Sequence, residues 1–147
     1  RDHRESRGLG DVYKRHLLQI VSKASYKSLS SFIYKKKYTD VEGKRMQDVF
    51  EYTMKYFQKN ISLKIIASVA NMTKNAFCKY FKKRTNKTYF KFLAELRIEY
   101  ACKLLLKKNE LSISEIAHHS GFNNLSNFNR QFKAIKKKSP SKFIKMN

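Results

Sequence analysis

Proline is nearly absent from this 147-residue chain and glycine is scarce, with one Pro and four Gly. Turn-rich β architectures need both at their corners, so their scarcity disfavours such folds and favours helices. Tryptophan is missing altogether, and the two cysteines, Cys78 and Cys102, stand far apart with no CxxC spacing. Neither a zinc site nor a dithiol redox pair follows from that pattern, and a reducing compartment fits it. The sequence holds no apolar run approaching a membrane span, no signal-peptide pattern, and no glycine-rich phosphate loop or paired-carboxylate constellation. Acidic residues are few: 11 Asp/Glu stand against 33 Lys/Arg, for a formal net charge of +22.

That much positive charge repels itself, which points to a polyanionic partner: DNA, RNA or an anionic membrane surface. The charge is uneven. Residues 43–147 hold 23 of the Lys/Arg and 6 of the Asp/Glu, a net of +17, which leaves +5 for residues 1–42. A disordered basic tail is excluded by bulk, because 41% of the residues are hydrophobic and they include 11 Phe and 9 Tyr. The chain begins at Arg1 and is expected to be a piece of a longer protein.

Residues 1–10 are polar and read as a flexible arm. From Asp11, Tyr13, Leu17, Ile20, Val21 and Ala24 recur at helical spacing. Ser25 to Tyr38 shows no clear helical face and reads as a connector or short strand. Asp40 to Gly43 reads as a linker, so the main domain is expected over 44–147. Within it, Val49, Phe50, Thr53 and Phe57 share one face of a helix over 44–59. Ser62, Thr73, Ser112 and Asn123 or Asn124 are candidate N-caps, and Ser139-Pro140 opens a last helix with Pro at its first position. The longest helix is expected over 88–107, with Leu93, Leu96, Tyr100, Ala101, Leu104 and Leu105 as its apolar stripe.

Two stretches repeat each other. In 62–84 and 112–136, Ala67 pairs with Ala117 and Met72 with Phe122; Phe77 and Phe81 then pair with Phe128 and Phe132 after a one-residue insertion. A small residue on a first helix lets a second cross closely, an apolar residue after the turn fills the gap between them, and a Phe pair four apart anchors the second helix. This is the layout of a helix-turn-helix. One match is common among helical hairpins, but two flanking an amphipathic helix in so basic a chain are far more specific.

Residues 44–144 resemble the AraC/XylS-type DNA-binding domain. The resemblance rests on 62–82, on Arg97-Ile98-Glu99-Tyr100-Ala101-Cys102-Lys103-Leu104-Leu105, and on Ile113-Ser-Glu-Ile-Ala117 with Gly121-Phe122, Ser126, Phe128, Arg130, Phe132-Lys133 and Ser139-Pro140. It implies an all-α fold of about seven helices: two helix-turn-helix units joined by a long linking helix, preceded by a partly ordered N-terminal arm. It also implies a bacterial, cytoplasmic transcription regulator, an activator contacting RNA polymerase, that is no enzyme and carries no cofactor. Residues 11–43 would be the tail of a sensory domain that binds a small-molecule effector and dimerises. The sequence departs from the pattern where family members often carry Gly after the second helix of each unit; here Asn86 and Lys137 stand there. Asn tolerates a left-handed backbone better than Lys does.

A linking helix of about 20 residues spans about 30 Å, close to the roughly 34 Å between successive major-groove faces on one side of duplex DNA. Two recognition helices joined by it would reach adjacent groove segments, with some DNA bending. Off the Phe77/Phe81 face, the expected base-contacting residues are Lys74, Asn75, Cys78 and Lys79; in the second unit they are Leu125, Ser126, Asn129 and Arg130. The resemblance puts a base-reading Arg at the Lys79 position. Asn pairs with adenine, Arg or Lys with guanine, and Leu touches a thymine methyl. Lys82, Arg97 and Lys133 are the expected phosphate contacts, with Arg97 equally suited to bracing the linking helix.

Bland roles stand beside these. Arg130 could serve a structural ion pair and Cys78 simple half-burial. His118 and His119 are adjacent, so on a helix they point about 100° apart, which is poor metal geometry. The triple-lysine runs 35–37 and 136–138 read as solvated charge. A basic RNA-binding helical protein explains the charge but not the repeat. An enzyme with a reactive cysteine finds no His/Glu partner near either thiol.

Overall fold

The computed structural model describes residues 40–107 and 110–147, and these are all-α. The expected arm at 1–10 and the helix and connector between 11 and 39 lie outside the described residues. Seven helices follow in order among those described: α1 (Asp40–Tyr56), α2 (Leu63–Val69), α3 (Lys74–Thr85), α4 (Tyr89–Leu106), α5 (Ile113–His119), α6 (Leu125–Lys136) and α7 (Pro140–Lys145).

Helix starts fall at the expected caps Ser62, Thr73, Asn124 and Ser139, and at Thr88, expected as the first residue of the linking helix. All five hold extended backbone, and each side chain accepts from the amide three residues on. Ser112 goes further and forms a capping box. Its hydroxyl accepts from the Glu115 amide at 3.2 Å, while the Glu115 carboxylate accepts from the Ser112 amide at 2.7 Å. The Ser112 hydroxyl also donates to the Glu115 carboxylate at 2.7 Å, and this bond, with that from the Ser112 amide, holds the carboxyl below its ordinary pKa.

The start of α1 differs from expectation. Asp40 to Gly43, read as a linker, forms the first turn of the helix. A glycine inside a helix costs about 1 kcal/mol, whereas burial of a Met, Val or Phe side chain contributes about 1.5–3 kcal/mol each. Met46, Val49 and Phe50, all buried, carry the helix through Gly43.

The core has two parts. The first gathers Met46, Val49, Phe50 and Phe57 of the α1 region, Ile66 and Ala67 of α2, Phe77 and Phe81 of α3, and Tyr89, Phe92, Leu93 and Leu96 of α4. Its centre is aromatic: Phe81 packs against Tyr89 at 5.4 Å and Phe92 at 5.7 Å between ring centroids, and Phe50 against Phe92 at 5.5 Å. The second gathers Ile98, Ala101, Cys102 and Leu105 of α4 with Ile116, Ala117, Phe122, Phe128 and Phe132.

The linking helix α4 therefore buries two faces. At about 100° per residue, Tyr89, Phe92, Leu93 and Leu96 point one way, and Ile98, Ala101, Cys102 and Leu105 point nearly opposite. The single stripe expected from sequence is split, with Tyr100 half-buried against the first core and Leu104 against the second. The helix has 18 residues, a length of about 27 Å.

Polar ties fix α4 at both ends. Tyr89 hydroxyl meets Thr53 Oγ1 at 2.8 Å, and Thr53 donates to Val49 O at 2.7 Å. Burial pushes the Tyr89 phenol up to about 12. Lys87 pairs with Glu95 at 2.6 Å across the α3–α4 corner. Buried Glu99 pairs with Lys136 in the last turn of α6.

Candidate nucleic-acid interface

Each half of the molecule presents a short helix, a tight turn and a 12-residue helix. The turns are Schellman motifs. In the first, the Met72 amide donates to Ala67 O at 2.9 Å and the Asn71 amide to Ser68 O at 2.9 Å; in the second, Phe122 donates to Ala117 O at 3.0 Å and Gly121 to His118 O at 2.9 Å. Asn71 (φ 53°) and Gly121 (φ 94°) occupy the left-handed position. The buried Ala67 and Ala117 sit where the helices cross, as the repeat suggested. Asn123 is the inserted residue, between the turn and the Asn124 cap.

Helices α3 and α6 are of equal length and place their phenylalanines at the same positions. Phe77 and Phe81, and Phe128 and Phe132, are fully buried. The opposite face of α3 exposes Lys74, Asn75, Cys78, Lys79 and Lys82, and that of α6 exposes Leu125, Ser126, Asn129, Arg130 and Lys133 at the same five helical offsets. The expected base-contacting residues thus lie together on one solvent-facing strip per helix, with Lys82 and Lys133 one turn beyond. Leu125 is 40% exposed, an unusual position for a leucine with nothing to cover it. Arg130 donates to Asn127 Oδ1 at 2.9 Å, which holds its guanidinium against its own helix.

Both helices end on a left-handed residue that is not glycine. Asn86 (φ 57°) and Lys137 (φ 62°) each donate their amide to the carbonyl four residues back, Lys82 O and Lys133 O. Lys137 ends α6 at the same point as Asn86 ends α3. A lysine holds that conformation at a cost of about 1–2 kcal/mol.

Arg97, expected either as a phosphate contact or as a brace of the linking helix, makes bonds of the bracing kind. It is half-buried, donates Nε to Phe57 O at 2.6 Å and Nη2 to Lys59 O at 2.8 Å, and lies 5.9 Å from the Phe122 ring centroid. Those carbonyls follow the end of α1, where helix acceptors have lost their partners. Burial draws its pKa below the ordinary arginine value. The guanidinium braces the two halves.

The two cysteines differ in their surroundings. Cys78 is exposed on the α3 strip and Cys102 is buried, its thiol pushed up to about 12 by that burial. No group of three or more His, Cys, Asp or Glu that could hold a metal ion occurs among the described residues. Among them, too, no helix is long and apolar enough to cross a membrane.

Sequence reasoning missed three structural parts of the site. Gln58 and Gly121 join the two halves, and Glu99 anchors α6. Glu99 and Gly121 stood in the stretches that carry the resemblance, without these roles, and Gln58 left no signal.

Two helix-turn-helix units on a shared linking helix, each showing a polar strip on its second helix, define a double helix-turn-helix nucleic-acid-binding domain. A helix-turn-helix domain family matches residues 66–146. Among curated proteins, the chain is 28% identical over 107 residues to the uncharacterized HTH-type transcriptional regulator YdeC of Bacillus subtilis, covering 73% of this chain and 36% of that protein. It is 34% identical over 98 residues to an HTH-type regulator from the cgkA 5' region of Pseudoalteromonas carrageenovora, covering 67% of this chain and 57% of that one. The chain thus spans about a third to just over half of these relatives. In fold it matches a Listeria innocua protein of unknown function (TM-score 0.65, 25% identity, 69% of this chain, 96% of that one). It also matches the DNA-binding domain of the global transcriptional factor AdpA, solved with a target DNA (TM-score 0.61, 18% identity, 74% and 93%). The chain belongs to the AraC-type family of helix-turn-helix DNA-binding domains and is homologous to HTH-type transcriptional regulators.

Proposed function

We propose that this chain is the sequence-specific, duplex-DNA-binding part of a transcription regulator, and that α3 and α6 enter successive major-groove segments. The observation that carries this reading is the matched pair of exposed strips at identical offsets, each backed by two fully buried phenylalanines. A polar face backed by its own core is left free to meet a groove, and a basic helix of this width fits the major groove. Lys74, Asn75, Cys78 and Lys79 on α3 and Leu125, Ser126, Asn129 and Arg130 on α6 are the base-reading set. Lys82 and Lys133 are phosphate contacts, and they stand where a regulator needs register rather than sequence information. AdpA, of like fold, was solved with its target DNA, which supports the same polyanion here.

Activation is the regulatory direction we favour. A relative 36% identical over 76 residues, covering 51% of this chain and 24% of that protein, is the transcriptional activator RhrA of Rhizobium meliloti. Contact with RNA polymerase would follow from that role, and a promoter reporter that falls on deletion of the regulator tests it.

Selection from a pool of random duplexes at physiological salt, with structured RNA as competitor, tests the DNA reading. Enrichment of two short blocks about one helical turn apart is the expected outcome. Capture of RNA in preference to every duplex would replace it with an RNA-binding function.

A further inference from the structure

The two turns are alike in hydrogen bonding but not in surroundings. Asn71 of the first is exposed. Gly121 of the second is pressed against the corner after α1. A Cβ placed there would lie 2.8 Å from Phe57 O, 2.8 Å from Arg97 Nε and 3.0 Å from Gln58 Cα. Asn71 shows that the left-handed turn alone accepts a side chain, so the glycine at 121 is required by this approach as well.

Two side chains close the same gap. Arg97 leaves the middle of α4 to donate to Phe57 O and Lys59 O, and its guanidinium lies by the Phe122 ring. Gln58 reaches the other way, from the first half to the second, and donates to His119 O at 2.9 Å. His119 ends α5, where carbonyls lack helical partners. One half thus offers its carbonyls to Arg97, and the other to Gln58. These contacts join the halves beside the shared helix α4, whose two cores sit on opposite faces.

We propose that Arg97, Gln58 and Gly121 form a latch that fixes the angle between the two recognition helices and so sets the spacing between the DNA blocks the chain accepts. The consequence for DNA rests on the proposed function; the latch itself does not. Arg97 and Gln58 are positioning residues, acting on α5 and α6 as a body.

The latch is tested first without DNA, by electron–electron dipolar distances in the full chain. One spin label goes on Cys78 of α3, the exposed native thiol, and another on α6 through Asn129→Cys; Cys102 is buried and stays unlabelled. The latched chain gives one narrow distance distribution. Arg97→Met with Gln58→Ala at least doubles its width, and Gln58→Ala alone, at an exposed side chain, broadens it partway. Arg97→Lys, which keeps one donor, serves if the double variant loses its helical circular dichroism. A width unchanged in folded variants overturns the latch.

The second readout is affinity for duplexes carrying both selected blocks with the spacer changed by one or two base pairs. The parent chain discriminates among spacers by tenfold or more. Gln58→Ala flattens that preference by threefold or more and binds a single block within twofold of the parent. An equal loss on every spacer and on single blocks would mark a general weakening and overturn the spacing role. If no duplex motif is selected at all, the DNA reading falls while the distance measurement still decides the latch.

Discussion

Arg130 and Lys133 stand one turn apart on α6, both exposed, yet their chemistry separates them. A guanidinium fork can grip the two acceptors of a guanine edge, whereas an ammonium meets a phosphate as a point charge. Arg130→Ala should weaken binding to the selected duplex by about 1–3 kcal/mol and relax choice at one position. Lys133→Ala should weaken binding to all duplexes alike and lower the salt slope by about 1. Binding titrations on matched and single-substituted duplexes check both; an Arg130→Ala loss that is the same on every sequence would make it a phosphate contact. Lys137 offers a stability test. Held at φ 62°, it bears strain that glycine lacks. Lys137→Gly should raise stability by about 1 kcal/mol, and Asn86→Gly by less, in thermal or urea melts. An unchanged or lower midpoint for Lys137→Gly would mean that its backbone is not strained.

Among single residues, the strips were legible because a buried Phe pair fixes the opposite face of a helix by periodicity alone. The N-caps were legible because Ser, Thr and Asn act on amides three residues away. Arg97 was not, since its partners, Phe57 O and Lys59 O, lie 40 and 38 positions away in sequence. A side chain that bonds backbone carbonyls leaves no partner residue type to find. Gln58 hid for the same reason, with a backbone acceptor 61 positions distant.

Helix α4 shows the same limit at the scale of an element. Its existence followed from length and apolar content, but its two faces did not, because a helix serving two cores on opposite sides loses its periodic contrast. Burial on both sides has a chemical consequence. Tyr89 faces the first core and Cys102 the second, and burial raises both acids above their ordinary values, from 10.0 and 9.0 to about 12. The unfolded chain then releases these protons at lower pH than the folded one, so stability is full below about pH 9 and falls as pH rises toward 12. For Tyr89 the loss across that window is on the order of 3 kcal/mol. Melting midpoints should drop over pH 9–12, less steeply in Cys102→Ala, with Tyr89→Phe removing the upper part of the fall. A flat profile over that range would contradict the burial of both groups. The Glu99–Lys136 pair is a further tie on α4, with the carboxylate 3% exposed. Replacing Lys136 by Met removes the ammonium facing a buried carboxylate, and a loss of about 3 kcal/mol is expected in denaturant melts. A neutral result would show the carboxylate satisfied without it.

For the molecule as a whole, composition already pointed to a polyanion. A net charge of +22, concentrated in the part that holds both units, is expected to bind a polyanion by displacing its counterions. Affinity for duplex DNA should fall on the order of a thousandfold between 50 and 200 mM salt if about six phosphates are neutralised. A flat response would leave the charge without a function in binding. The repeat supplied the architecture, since two similar units around one helix must place two similar helices. Their mutual angle was beyond the sequence, because it is set by Gly121 meeting a distant corner of the chain.

The direct test of two helices reading one face of a duplex is to insert about 5 base pairs, half a helical turn, between the two selected blocks and measure affinity by titration. The inserted half-turn rotates one block to the far side, so binding should drop to that of a duplex with a single block. Affinity equal to the parent duplex would mean that the two units do not read DNA together.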